Sequence, residues 1–186
     1  MVRTVAFYTS NPGKVEEVRT LLSPLGYRVV WRKGALLEPQ VDTLEEVAVC
    51  KLADIPGKAT FAMVEDSGIF IDSLGGFPGV YSAYVLRTVG LDGILRLVKG
   101  KPRDAEFRAV VAFRHEGKVK LFSGRVRGAL SRSVRGTHGF GYDPIFLPHG
   151  SQRTTAEMEP EEKNAVSHRG KAVRQLAAWL RKQTPD

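Results

Sequence analysis

What most constrains this chain is how its apolar residues change character along the sequence, from short extended runs to helical stripes and back. Val2 to Tyr8 is a brief apolar run with turn chemistry behind it, which predicts a buried strand. Val15, Val18, Leu21, Leu22 and Leu25 then share one helical stripe. Asn11 is placed to cap that helix and Pro12 to take its first position. Tyr27 to Trp31 predicts a second strand. Thr43-Leu44-Glu45-Glu46 is a capping box that opens a helix with Leu44, Val47, Ala48 and Leu52 inward. Phe61 to Glu65 predicts a strand ending at Asp66-Ser67-Gly68, with Ile69 to Ile71 extended and Gly75 to Gly79 a loop. Val80 to Val89 and Leu91 to Val98 are helical segments separated by Gly90. Ala105 to Arg114 and Val119 to Arg127 form a hairpin turning at His115-Glu116-Gly117-Lys118. His168 to about Lys182 closes the chain as a helix burying Ala172, Val173, Leu176 and Leu180. Strands and helices mix throughout, so the class is α/β or α+β.

No repeat, low-complexity tract or linker interrupts the 186 residues, which predicts one domain over 1–186. No run approaches the ~18–20 apolar residues of a membrane span. The apolar stretch within Met1 to Ser10 is too short for a signal segment. A single cysteine, Cys50, offers no disulfide framework, fits a reducing cytoplasm, and reads as a small core hydrophobe. The 28 Lys and Arg against 20 Asp and Glu give +8, a charge that steers anions: nucleic acid, a membrane surface or a phosphate-rich small molecule. Only the position of the charges chooses among these.

Four segments carry candidate chemistry. Thr9-Ser10-Asn11-Pro12-Gly13-Lys14 joins a strand to a helix, and the unpaired N–H groups of a helix start suit a phosphate. An ordinary capped turn reads the same way. It is not a Walker loop, because no Gly-Lys pair is followed by Ser or Thr. Glu65-Asp66-Ser67-Gly68 sets two carboxylates side by side on a buried strand, costly unless something cationic needs them. Alternation sends the two to opposite faces. Mg²⁺, which takes one or two carboxylates plus phosphate and water, would meet the need. A plain cap or Asx-turn at Asp66 is the competing reading.

Gly136 to Pro144 weaves glycines around Phe140 and Tyr142, so that either ring could stack on a flat ligand while Asp143 accepts a ring N–H; a surface loop with one buried aromatic is the alternative. In the fourth segment, Glu162 to Lys171, a Ser-capped helix opens with His168 and Arg169, against the preference of its dipole for acidic residues. Such local conflicts point to a ligand. Arg125, Arg127, Arg132 and Arg135 read as a solvated face more readily than as a nucleic-acid tract. His115, His138 and His149 lack metal spacing, and no H-E-x-x-H, C-x-x-C or G-x-S-x-G occurs.

Together, T-S-N-P-G-K at 9–14, E-D-S-G at 65–68, L-G-G-F-P-G-V-Y-S at 74–82, H-G-F-G-Y-D-P-I-F at 138–146 and A-E-M-x-x-E-E-K-N-A-V-S-H-R-G-K-A at 156–172 resemble the inosine/xanthosine triphosphate pyrophosphatase family. The resemblance covers essentially the whole chain. It implies an elongated α/β fold with a mixed central sheet flanked by helices, and two lobes with an active-site cleft between them. It also implies a cytoplasmic homodimer, a Mg²⁺ requirement, and a purine nucleoside triphosphate substrate, with neither nucleic acid nor membrane as partner.

Carried over by position, Thr9, Ser10, Asn11, Pro12, Gly13 and Lys14 would cradle the triphosphate with Lys51 beside them. Glu38 and Asp66 would hold the metal, with Asp66 also the catalytic proton acceptor. Ser67, Phe140, Gly141, Tyr142, Asp143, Lys163, His168 and Arg169 would hold sugar, phosphate and base. Glu45, Glu46 and Glu65 stand as alternative metal ligands. A related pyrophosphatase acting on modified pyrimidine triphosphates is disfavoured by S-H-R and F-G-Y-D-P. A basic nucleic-acid-binding module leaves the Glu65-Asp66 pair unexplained, since carboxylates repel phosphates.

Overall fold

The computed structural model describes residues 3–34, 36–55 and 61–183. In chain order these form β1 (Arg3–Tyr8), α1 (Pro12–Leu22), β2 (Tyr27–Arg32), α2 (Leu44–Ala53), β3 (Phe61–Ile71), α3 (Ser82–Thr88), α4 (Gly90–Leu97), β4 (Asp104–His115), β5 (Lys118–Leu130), β6 (Phe146–Pro148), α5 (Pro160–Val166) and α6 (His168–Lys182). Val2, assigned to the first strand from sequence, lies outside the described residues. The strands make one mixed sheet in the order β2-β1-β3-β4-β5-β6. Strand β1 runs parallel to β2, from Arg3 opposite Tyr27 to Tyr8 opposite Arg32, and parallel to β3 at Ala6–Ala62 and Phe7–Met63. Strand β6 lies antiparallel to β5. The fold class is α/β, as the alternation of patterns predicts.

Contacts divide the chain into two compact units. The first comprises Met1–Asp66, Ala109–Gly124 and Arg169–Asp186, and its core gathers Phe7, Val15, Val18, Leu22, Met63, Phe113, Leu176 and Leu180. The second comprises Ser67–Arg108 and Arg125–His168, around Ile69, Ile71, Val85, Ile94, Tyr142, Ile145 and Phe146. Burying each large apolar side chain of these cores stabilises the fold by ~1.5–3 kcal/mol. One boundary between the units falls inside β3, between Asp66 and Ser67.

The helix-start signals act as read. Asn11 Oδ1 accepts the Gly13 N–H at 2.9 Å with Pro12 at the first helical position. Thr43 and Glu46 close a capping box around the start of α2. Leu44, Val47, Ala48 and Leu52 are buried, which leaves Cys50 half-buried on α2 and outside the core expected for it.

Three further expectations change. Strand β3 does not stop at Glu65 but continues to Ile71, so Asp66 is a mid-strand residue and neither a cap nor a turn. Gly68, which reads as a turn signal, is there for close approach: a Cβ at that position would collide with the Gly79 carbonyl. The hairpin turn is tighter than four residues, because only Glu116 and Gly117 separate β4 from β5, with φ of 49° and 76°. A two-residue turn of that mirror-image type joins antiparallel strands and matches their twist. Finally, the first helical segment after the glycine loop is shortened to α3 by a 3₁₀ turn at Gly79–Tyr81.

Candidate active site

In the first unit the chain leaves β1 at Tyr8 and turns into α1 through a loop fixed by its own polar groups. Thr9 Oγ1 accepts the Asn11 N–H at 3.1 Å, and the Thr9 carbonyl accepts the Trp31 indole N–H at 2.9 Å. Ser10 is exposed beside this turn. Lys14, in the first turn of α1, extends to β3, where its Nζ lies 2.7 Å from Glu65 Oε2 and donates to the Glu65 carbonyl at 3.3 Å. The other Glu65 oxygen accepts from Arg169 Nε at 3.0 Å, and Arg169 Nη1 also pairs with Glu17. Glu65 is thus held between two cations in the interior, where a single unpaired carboxylate would be costly.

Its neighbour Asp66 has a different partner. Lys51, on α2 and only 7 % exposed, donates from Nζ to Asp66 Oδ1 at 2.6 Å, and the same Nζ stands 2.9 Å from Glu38 Oε2. Burial pushes the Asp66 carboxyl above the ordinary aspartate range, against the pull of Lys14 and Lys51. Burial disfavours the charge on Lys51, but Asp66 and Glu38 outweigh it and hold the ammonium above its usual value. Among the carboxylates of this stretch, Glu46 is taken up by the Thr43 N–H and hydroxyl at 3.0 and 2.6 Å, which hold it below its usual value. Glu45 is exposed in the first turn of α2. Glu38 is the one beside Lys51.

Could these residues hold a divalent cation? Oxygens of Glu38 and Asp66 converge on one atom that already carries positive charge, and both are hard donors. Among the described residues no cluster of three or more His, Cys, Asp or Glu suited to a metal occurs. Two carboxylates match the protein share that Mg²⁺ takes when phosphates and water complete its shell. The donor set fits.

The second unit contributes a separate constellation. Asp143 is buried and its carboxylate is fully engaged: Oδ2 accepts from Lys163 Nζ at 2.6 Å and from the Phe140 N–H at 2.7 Å, and Oδ1 accepts from the Thr155 hydroxyl at 2.9 Å. Gly139 packs so closely that an added Cβ would strike the Asp143 carboxylate, so this position needs glycine. Lys163 Nζ also lies 4.7 Å from the centre of the Phe140 ring. Of the two aromatic residues in the loop, Tyr142 is a core residue. Its hydroxyl donates to the Ser82 carbonyl at 2.9 Å, and burial pushes the phenol far above its usual range. Phe140 is half-buried.

His168, at the start of α6, stacks on Phe107 with ring centres 4.5 Å apart and planes 4° from parallel. The two rings line a pocket with Asp143, Thr155 and Lys163. Sequence reasoning did not single out Phe107, Thr155 or Glu17. Phe107 is one apolar residue in a strand, and nothing in its spacing reveals a histidine 61 positions later.

A sequence model of the Ham1 family matches residues 5–179, so the chain belongs to the Ham1 family. Among its relatives, a protein of Pyrococcus horikoshii named dITP/XTP pyrophosphatase is 51% identical, the match covering 95% of this chain and 96% of that one. A protein of the same name from Thermococcus kodakarensis is 50% identical over 95% of this chain and 97% of its own. Among solved structures, a HAM1 protein from Coxiella burnetii superposes with a TM-score of 0.83 at 30% identity, covering 97% of this chain and 99% of that one. Among the described residues, no helix is long and apolar enough to cross a membrane.

Proposed function

We propose that this chain is a Mg²⁺-dependent pyrophosphatase for non-standard purine nucleoside triphosphates. It splits inosine-, deoxyinosine- and xanthosine-type substrates between the α and β phosphates, giving monophosphate and pyrophosphate. Such an activity keeps these bases out of DNA and RNA. The observation that carries the reading is the convergence of Asp66 and Glu38 on one cationic position at Lys51 Nζ. Family membership supplies the reaction class.

Each group then has a task. The loop from Thr9 to Lys14 offers the positive end of the α1 dipole and the Lys14 ammonium to the triphosphate, and Lys51 adds a second ammonium. Glu38 and Asp66 would hold Mg²⁺, which when bound neutralises charge spreading over the phosphates. Asp66 accepts the proton of the attacking water, a task helped by a carboxyl lifted toward neutrality by burial. His168, its plane set by Phe107, offers a ring N–H to the 6-oxo group of the base. Phe140 offers a ring face, Ser67, Gly141 and Arg169 complete the set, and Tyr142 with the Asp143–Lys163 pair holds the Phe140 loop in place. The enzyme works as one catalytic domain over 1–186, in the cytoplasm, as a homodimer.

The test is a panel of nucleoside triphosphates with Mg²⁺, in which monophosphate and pyrophosphate are measured separately from diphosphate and orthophosphate. Inosine triphosphate should yield monophosphate and pyrophosphate, with no diphosphate or orthophosphate, and be strongly preferred over adenosine triphosphate, whose 6-amino group offers the His168 N–H no acceptor. Accumulation of inosine diphosphate with orthophosphate overturns the bond assignment. Equal kcat/KM for the two bases overturns the substrate class.

A further inference from the structure

The cation between Glu38 and Asp66 belongs to the protein itself. Lys51 Nζ sits 2.9 Å from one carboxylate and 2.6 Å from the other. The lysine side chain is 8 % exposed, whereas that of Glu38 is 75 % exposed. A divalent cation held by the same two carboxylates would stand against that ammonium. Two positive charges a few ångströms apart repel by an amount that grows as the surroundings become less polar. Lys51 therefore has to swing away before the two carboxylates can be shared with a metal. Lys14, the other lysine near Asp66, is engaged with Glu65, and Glu65 with Arg169. A polyphosphate would give Lys51 an alternative anion.

Resting on the metal-site reading above, we propose that Lys51 is a resident counter-cation that keeps free Mg²⁺ out of the Glu38–Asp66 pair, so that the metal enters only together with the triphosphate. The protein alone is then a weak Mg²⁺ binder by construction. Asp66 is also spared an unpaired charge in the interior while substrate is absent, a state that is strongly destabilising for a buried carboxylate.

The experiment is calorimetric titration of Mg²⁺ alone, with no nucleotide, into wild type, Lys51→Gln, Lys51→Arg, Glu38→Gln and Lys51→Gln/Glu38→Gln, with a thermal melt of each with and without the ion. Lys51→Gln should bind Mg²⁺ at least about tenfold more tightly than wild type, since an opposing unit charge has gone. It should also melt lower without the ion and recover with it. Lys51→Arg keeps a charge and should behave as wild type. Adding Glu38→Gln to Lys51→Gln should abolish the gained affinity. Equal Mg²⁺ affinity in wild type and Lys51→Gln, with loss in Glu38→Gln, overturns the role of Lys51 and leaves the metal site standing. Binding that ignores Glu38→Gln in both backgrounds overturns both. Should Lys51→Gln not fold, Lys51→Arg binding Mg²⁺ as tightly as a foldable Lys51→Met would overturn the proposal alone.

Discussion

Lys51 in the first unit and Lys163 in the second are the same device put to different ends. Each is a buried lysine whose Nζ donates to an aspartate at 2.6 Å. Around Asp143 the shell is closed, because a backbone N–H, a hydroxyl and the ammonium take its oxygens and Gly139 packs against it. Around Asp66 the shell is open. Its lysine is shared with Glu38, an exposed carboxylate, and burial holds the Asp66 carboxyl above the ordinary range. A closed ion pair pins a loop in place. An open one can exchange a partner, which a site that admits and releases a polyanion needs.

Four substitutions and one pH profile sharpen that contrast, from the largest effect to the smallest. Asp66→Asn should lower kcat by ~10²–10⁴-fold, the usual size of a lost general base. Its thermal stability should change little, since Lys51 retains Glu38. In the unmodified enzyme, only the ionised carboxylate accepts a proton, so kcat/KM should fall as pH drops. Burial raises this carboxyl, so the fall should begin above the ordinary aspartate range; a limb at the ordinary value would show that burial does not set the basicity of Asp66.

Lys163→Met should do the reverse in kind, destabilising the fold by ~3–5 kcal/mol by leaving Asp143 charged and buried. Chemical denaturation measures this, and Lys163→Met/Asp143→Leu should recover much of the loss. Lys14→Ala should raise KM about 10–100-fold, the weight of a charged hydrogen bond, and equally for inosine and xanthosine triphosphates. A change in the preference between bases would show that the phosphates do not lie at α1. Smallest is Arg127→Ala, which removes an exposed, solvent-screened pair with Asp72 and should leave the midpoint of a denaturant melt almost unmoved.

The sequence makes local signals visible and hides distant partners. Asn11, Pro12 and the Thr43–Glu46 box announce their helices because capping is settled within four residues. Helix α6 announces itself through an unbroken apolar stripe. Helix α5 does not, because the residues it buries include Lys163 and Asn164, which carry no hydrophobic period. Strand β6 has only three residues, too few to show alternation. Gly68 misleads because glycine serves close approach and turns alike. At the site, the demand of Glu65 and Asp66 for cations can be read from their place in an apolar strand, and Mg²⁺ is one answer. The structure adds Lys14, Lys51 and Arg169 as others. The Glu65–Arg169 bond joins residues 104 positions apart, a pairing that only the packed fold reveals.

The pleat of β3 gives this arrangement an unusual sensitivity to spelling. Glu65 and Asp66 leave the strand on opposite sides, one toward Lys14 and Arg169, the other toward Lys51 and Glu38. Deleting or inserting one residue upstream in β3 would exchange their sides while leaving the composition almost untouched. The shorter carboxylate would then meet the arginine and the longer one the α2 lysine, two reaches that neither was cut to span. Conservative replacements should therefore be tolerated along Phe61 to Val64 far better than any change in their number. In this strand, counting matters more than chemistry.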